Sequence, residues 1–274
     1  MNHARLCALL LSLLLGCGGA GAAGLSPASA AQPVISLIID DMGNRLEEGE
    51  KALELPGAIT YSFLPHTPYA QTLAELAHGR NKEVMLHLPM ASHSGKPLGP
   101  GGLTLHMTRE QFQETLKENL RAVPHVAGLN NHMGSLLTRH PGAMGWLMQG
   151  MLEYGGLYFV DSRTTALSVA ERVAREHRVP AIRRDIFLDN VREPEAIRTQ
   201  FQQLLRRARN QGKAIGIAHP YPETLAVLAE ELDRLEAEGV RLVTTSQIIA
   251  IQRSNIPWRA SLSPSPKAAK SSKP

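Results

Sequence analysis

Short apolar runs alternate with amphipathic segments along most of the chain. The run 34–39, in which five of six residues are apolar, predicts a strand buried on both faces. Leu225, Leu228, Leu232 and Leu235 form an apolar stripe at helical spacing. By these criteria strands are predicted over 34–39, 58–64, 83–88, 126–130, 157–161, 181–188, 214–218 and 241–244. Helices are predicted over 46–55, 69–79, 108–121, 141–154, 165–177, 194–210, 222–238 and 245–252.

The order of these elements predicts a parallel sheet with helical crossovers. Eight strand–helix units fit into about 220 residues, which favours a (β/α) barrel. The sequence has no GxGxxG and no Walker loop, so a nucleotide-binding sheet is not expected. Thr108, followed by Glu110 and Gln111, indicates the start of one helix, and Gly212 the end of another.

The two ends of the chain lie outside this pattern. Residues 1–31 combine a positive charge, an apolar run and a Gly/Ala/Ser-rich stretch, which predicts a secretory signal. The alternative is a lipoprotein leader, in which Cys17 becomes the lipidated N-terminus. Residues 259–274 are rich in Ser, Pro and Lys, which predicts a disordered tail. We therefore expect a barrel domain over 33–253 and export to the bacterial periplasm or cell envelope.

The residue composition excludes two classes of function. Both cysteines, Cys7 and Cys17, lie in the leader, so the body has no thiol nucleophile and no cysteine-ligated zinc. Of the 29 Lys and Arg residues, one lies in the leader and four in the tail, so those left nearly balance the 25 acidic residues. We therefore expect no nucleic-acid partner. Membrane contact is expected only through a lipid anchor at Cys17.

Ionisable side chains recur where the predicted strands end. They are Asp40 and Asp41 after the first strand, His87 in the third, His132 after the fourth, Asp161 in the fifth and His219 after the seventh. The carboxyl ends of parallel barrel strands share one face, so we expect these side chains to meet there. Adjacent residues on a strand point to opposite faces, so Asp40 and Asp41 are expected to have separate tasks.

This set of residues suits metal-assisted hydrolysis. One carboxylate and two imidazoles match the ligands that Zn²⁺ or a similar divalent ion prefers. A second carboxylate can take a proton from the attacking water, and a histidine can protonate the leaving group. Asp40, Asp41, His87, His132 and His219 supply all these groups. A metal-free glycosidase that uses the carboxylates of Asp40 and Asp161 is a further alternative, but it leaves the histidines without a role.

Six segments together resemble the divergent polysaccharide deacetylases, an exported bacterial branch of the polysaccharide deacetylase superfamily. They are Ile38-Ile39-Asp40-Asp41-Met42-Gly43, Leu86-His87-Leu88-Pro89-Met90, Leu129-Asn130-Asn131-His132-Met133-Gly134-Ser135, Phe159-Val160-Asp161-Ser162, Arg184-Asp185-Ile186-Phe187-Leu188-Asp189 and Ala218-His219-Pro220. The resemblance covers roughly residues 33–252. It implies an irregular (β/α) barrel of seven or eight strands. It also implies a metal-dependent hydrolase that removes acetyl groups from N-acetylated sugars of a polysaccharide or cell-envelope glycan.

The resemblance implies a task for each acid and for the last histidine. Asp40 matches the family's general base, and Asp41 matches a metal ligand. His219 matches the general acid, and Asp161 matches an acid on the fifth strand that tunes the site.

The metal histidines depart from the family's usual pattern. Typical members supply two of them from His-x-x-x-His on the third strand, but here Ala91 stands four residues after His87. We expect His87 and His132, from two different strands, to replace that pair around a divalent metal such as zinc. The departure leaves an alternative, a non-catalytic glycan-binding or envelope-assembly protein on the same barrel.

Overall fold

A curled sheet of parallel strands forms the centre of the structure, a computed structural model that describes residues 32–254. Its strands are β1 Val34–Met42, β2 Thr60–Phe63, β3 Glu83–Met90, β4 Val126–Met133, β5 Tyr158–Asp161, β6 Ala181–Arg183, β7 Ile186–Phe187, β8 Lys213–Ala218 and β9 Arg241–Leu242. The helices are α1 Leu46–Leu53, α2 Ala70–Gly79, α3 Arg109–Ala122, α4 Pro141–Tyr154, α5 Ala170–Glu176, α6 Pro194–Gln211, α7 Pro222–Asp233 and α8 Thr245–Ser254. The predicted leader 1–31 and tail 259–274 lie outside the described residues.

The sheet closes on itself through one extended segment. The strand order is β6-β5-β4-β3-β2-β1-β8-β7, and β9 pairs with the start of β1. Every pairing is parallel, as helical crossovers require. β6 and β7, the two edges, are consecutive parts of the segment 181–187, so the sheet must curl until its edges meet there. The predicted irregular (β/α) barrel is confirmed.

The alternation of side chains along each strand builds two apolar layers. On β1, Ile35, Leu37 and Ile39 pack with the layer that includes the helices, which is the larger core. Val34 and Ile38 pack inside the curled sheet with the smaller cluster, which also contains Met85, Val160 and Ile217. Both faces are buried, which explains the near-continuous apolar runs in the sequence.

Most element boundaries lie within a few residues of those predicted from the sequence. Thr108 and Gln111 form a reciprocal capping box at the start of α3, and Gly212 ends α6 in a left-handed conformation. The strand predicted over 181–188 is instead two short strands separated by Arg184 and Asp185. None of the helices in residues 32–254 is long and apolar enough to cross a membrane.

A buried polar cluster closes the amino-terminal end of the sheet. Glu83 Oε1 accepts hydrogen bonds from Thr60 Oγ1 and from the Tyr158 hydroxyl, both at 2.9 Å. It also accepts one from the backbone N–H of Ser246, at 3.1 Å, in the first turn of α8. The cluster attaches α8 across the end of the sheet opposite the predicted site.

Candidate active site

A β-bulge places the two acids at the end of β1. Ile39 pairs with Tyr61 and Met42 with Phe63, so Asp40 and Asp41 together stand opposite a single residue of β2. Asp41 has a φ of +57°, a left-handed conformation that is uncommon for residues other than glycine. The bulge overturns the expectation that the two carboxylates point to opposite faces. Instead, both approach the same imidazole ring, that of His87: Asp40 Oδ1 lies 3.6 Å from Nδ1 and Asp41 Oδ1 lies 3.2 Å from Nε2.

Three predicted metal ligands form a compact triangle beside this bulge. Asp41 Oδ1 lies 3.2 Å from His87 Nε2 and 3.0 Å from His132 Nδ1, and the two ring nitrogens are 3.1 Å apart. His87 and His132 reach this point because β3 and β4 are neighbours in register, with His132 beside Pro89. The structure therefore brings together the Asp41, His87 and His132 side chains that the sequence nominated.

The donor atoms of this triangle fit a divalent metal ion. Three ligand atoms bound to a tetrahedral zinc at about 2.0–2.1 Å lie about 3.3 Å from one another, close to the three spacings above. Asp41 Oδ1 is buried and accepts no aligned hydrogen bond from the described residues. An unsatisfied buried carboxylate oxygen facing two imidazole nitrogens is costly unless a positive charge lies between them.

Asn130 connects Asp40 to His87 by hydrogen bonds. This fully buried side chain donates from Nδ2 to Asp40 Oδ1 at 2.7 Å. Its Oδ1 accepts from Ser62 Oγ at 2.7 Å and pairs with His87 Nδ1 at 2.6 Å. Because a carbonyl oxygen only accepts, His87 Nδ1 carries the proton, and in the neutral ring Nε2 keeps its lone pair towards Asp41. Such a bond fixes both the tautomer and the orientation of a metal-binding histidine.

Burial and neighbouring charges shift the acids and His87 in different directions. Burial raises the pKa of Asp40 despite the opposing charges of His87 and His219. For Asp41 burial is also the largest influence, but its contacts with His132 and His87 outweigh it and hold the pKa well below the usual range. Burial disfavours the charged form of His87, yet the carboxylates of Asp40 and Asp41 prevail and raise its pKa to about 9. The raised pKa of His87 thus reflects the carboxylates that the bulge places on both sides of its ring.

His219 lies beside Asp41 and is oriented by Asp189. Asp189 Oδ1 lies 3.0 Å from His219 Nδ1, Asp189 Oδ2 accepts from the His219 backbone N–H, and Thr224 Oγ1 donates to the same Oδ2. These contacts direct His219 Nε2 to within 3.7 Å of Asp41 Oδ2. Burial works against a charge on His219, but the hydrogen bond and charge of Asp189 raise its pKa.

Asp161 lies apart from this cluster. Its carboxylate accepts hydrogen bonds from the Arg163 backbone N–H at 2.9 Å and from Ser168 Oγ at 2.7 Å, so it fastens the loop after β5. Val160 packs inside the curled sheet, and the next residue therefore points to the helix side. Asp161 does not line the cavity over the triangle. Asp40 and Asp161 therefore do not face a common cavity, as a metal-free glycosidase that uses both carboxylates would require.

Two cavities open on either side of Asp41. One, of about 380 Å³, contains Asp40, His87, His132, Arg184 and His219. The other, of about 400 Å³, is bounded by Asn44, Arg45, Arg192 and Tyr221. Asp41 lines both cavities, so a ligand held over the triangle has space on each side.

Several residues of this site have a role that the sequence pattern alone does not reveal. Asn130 was visible only as a polar residue within an apolar strand, two positions before His132 on the same face. Asp189 ends one of the six segments that resemble the family, but its contact with His219 depends on the pairing of β7 with β8. Arg184 enters the cavity because the segment 181–187 breaks between its two short strands.

Comparisons with known proteins identify the family. A family model described as divergent polysaccharide deacetylase matches residues 37–249. The chain is 35% identical over 215 residues to the uncharacterized protein YibQ of Escherichia coli K12, covering 78% of this chain and 67% of that one. It is 36% identical over 215 residues to an uncharacterized protein of Haemophilus influenzae, covering 78% and 76% respectively. The fold is similar to the crystal structure of an uncharacterized protein from Agrobacterium tumefaciens C58, with a TM-score of 0.77 and 22% identity over 81% of this chain and 91% of that one. The chain belongs to the divergent polysaccharide deacetylase family.

Proposed function

We propose that this protein is an exported, metal-dependent hydrolase that removes acetyl groups from N-acetylated sugars of a cell-envelope polysaccharide. The observation that carries the proposal is the triangle of Asp41 Oδ1, His87 Nε2 and His132 Nδ1, with spacings of 3.0–3.2 Å. Asp40 and His219 line the same cavity and supply the two proton-transfer groups that amide hydrolysis needs. The secretory signal predicted over residues 1–31 is the basis for proposing export.

Asp41, His87 and His132 would hold the metal ion, and zinc is the ion proposed. Two imidazoles and one carboxylate form a common ligand set of catalytic zinc sites, which leave a coordination position free. The ion, when bound, would act as a Lewis acid towards the acetyl carbonyl group. Asn130 would keep His87 in the tautomer that presents Nε2.

Asp40 is the proposed general base. It is 3% exposed, lies beside the triangle and has a pKa raised by burial, which strengthens it as a proton acceptor near neutral pH. Asn130 occupies one of its oxygens and so fixes its orientation. Asp40 would take a proton from the attacking water.

His219 is the proposed general acid. Asp189 holds its Nδ1, which leaves Nε2 free to donate a proton to the departing sugar amine. The raised pKa of His219 favours the protonated form that this step requires. Asp161, assigned a tuning role by family resemblance, would act only indirectly, through the loop that it fastens.

Acetate release from N-acetylated oligosaccharides and cell-envelope glycans tests this proposal directly. With zinc restored to the purified protein, we expect acetate release, and Asp40→Asn and His219→Ala should each lower the rate by about 10²-fold or more. The exposed residues Asp233 and His78 provide controls, because Asp233→Asn and His78→Ala alter the same residue types outside the cavities. If both site variants retained wild-type rates, the mechanism would be wrong.

Metal analysis separates the enzyme from the non-catalytic alternative. Tight binding of one zinc ion, lost in Asp41→Asn and His132→Ala, supports the hydrolase. Absence of both zinc binding and acetate release after metal reconstitution, with glycan binding retained, would instead identify a binding or envelope-assembly protein on this barrel.

A further inference from the structure

A stack of five side chains crosses the candidate site. The Arg184 guanidinium carbon lies 5.0 Å from the centroid of the Phe187 ring, and Phe187 meets His219 edge-on at 5.3 Å. On its other side His219 stacks with Tyr221 at 5.3 Å, and the Arg192 guanidinium carbon lies 3.5 Å from the Tyr221 centroid. His219 is thus at the centre of a stack with an arginine at each end.

The two arginines lie in the two cavities that meet at Asp41. Arg184 lines the cavity that contains Asp40 and His87, whereas Arg192 lines the cavity beyond Tyr221. A sugar placed with its acetamido group over the metal triangle therefore has a guanidinium on either side.

Neither arginine forms an ion pair with a carboxylate of residues 32–254. Arg184 donates from Nε to the Ser162 carbonyl at 2.7 Å and from Nη2 to the Arg163 carbonyl at 3.0 Å, contacts that orient it without neutralising it. Arg45, which borders the second cavity, differs because it is paired with Glu48 at 2.9 Å. Arg184 is partly buried and Arg192 is exposed, and because no carboxylate is in ion-pair contact with either, both guanidinium groups keep donors for an anion.

We infer that the substrate is an anionic N-acetylated glycan, whose sugars carry an oxyanion recognised by Arg184 and Arg192. The planar guanidinium fork matches both carboxylate and phosphate oxygens. The inference rests on the proposed function for the position of the acetamido group. It adds the charge of the substrate, which the triangle itself does not specify.

Binding of matched oligosaccharides by the full-length Asp40→Asn protein tests the inference without turnover. Three probes share one N-acetylated backbone: the first carries carboxylates, the second has them converted to amides, and the third carries phosphate. We expect at least one anionic probe to bind about tenfold or more tighter than the neutral amide, measured by calorimetry. Preference for carboxylate or for phosphate assigns the oxyanion. Equal affinity for all three probes overturns the inference.

Variants of single arginines test whether Arg184 and Arg192 cause the preference for the anionic probe. Arg184→Gln and Arg192→Gln, each made in the same background, should reduce the preference for the anionic probe several-fold and leave binding of the neutral probe unchanged. Arg184→Lys should retain part of the preference. Arg206→Gln removes an exposed α6 charge outside both cavities and should retain all of it. A full preference in both glutamine variants would refute the role of these arginines.

The outcome is separable from that of the proposed function. If the wild-type protein released no acetate from any probe but still preferred an anionic one, the deacetylase proposal would fail and the inference would stand. If acetate were released but no probe were preferred for its charge, the deacetylase proposal would stand and the inference would fail.

Discussion

Replacing Asn130 by leucine removes three hydrogen bonds while keeping the number and branching of the side-chain heavy atoms. Asp40 Oδ1, Ser62 Oγ and His87 Nδ1 each lose a partner at 2.6–2.7 Å. A buried polar group left without a partner costs about 1–3 kcal/mol. Asp40 and His87 line the cavity, so water can partly replace the amide for them. We therefore expect a loss of about 3 kcal/mol in the free energy of unfolding.

The same substitution should weaken zinc binding, because the His87 ring loses the bond that fixes its tautomer. Loss of such an orienting partner lowers metal affinity about 10- to 100-fold. Denaturant unfolding of the metal-free protein gives the first quantity, and competition with a chromophoric chelator gives the second. Ser62→Ala, which leaves the contacts to Asp40 and His87, should cost about 1 kcal/mol and leave zinc affinity unchanged. Asn210→Leu, on the exposed face of α6, controls for the substitution itself.

Unchanged zinc affinity in Asn130→Leu, together with reduced stability, would refute the reasoning. It would show that Asn130 only fills space in the barrel and does not orient His87.

Two further predictions concern the opposite sides of the barrel. Asp189→Asn should lower the pKa of His219, which NMR titration measures. Because the folded-state pKa is raised, the stability from this ion pair is full below about pH 6.5 and is lost as pH rises through that pKa. The difference in stability between wild type and variant should therefore become smaller at alkaline pH. An unshifted His219 titration would contradict this. Glu83→Ala leaves three buried or partly buried donors without their acceptor, so it should lower the free energy of unfolding by about 3 kcal/mol without altering zinc affinity. The control Glu50→Ala, at an exposed position, should be nearly neutral in denaturant unfolding. Equal stability of the two variants would refute this prediction.

The apolar patterning made the sheet and helices predictable from the sequence. Both faces of β1 are buried, so its run of apolar residues stands out, and Thr108 caps α3 at the predicted helix start. The convergence of His87 and His132 also followed, because the carboxyl ends of parallel strands share one face. These features depend on local periodicity and on a general property of parallel barrels.

The bulge and the inner network could not be predicted in the same way. A period-2 pattern does not reveal that Asp41 adopts a φ of +57°, and that single conformation brings both acids to one side. Asn130 depends on the register of β4 against β3, which is set by tertiary packing. The strand-end position of Asp161 does not reveal which face its side chain occupies, because the alternation that puts Val160 inside the sheet turns its neighbour outward.

The segment 181–187 joins the two edges of the sheet covalently, since its first part pairs with β5 and its second part with β8. Two residues, Arg184 and Asp185, lie between the strand ends Arg183 and Ile186, so these ends cannot separate by more than about 11 Å while the chain is intact. New chain termini placed there by circular permutation would convert a ring into an open ribbon with two unprotected edges, a form prone to intermolecular strand pairing. The integrity of this one connection therefore bears on the solubility of the protein as well as on the shape of its site.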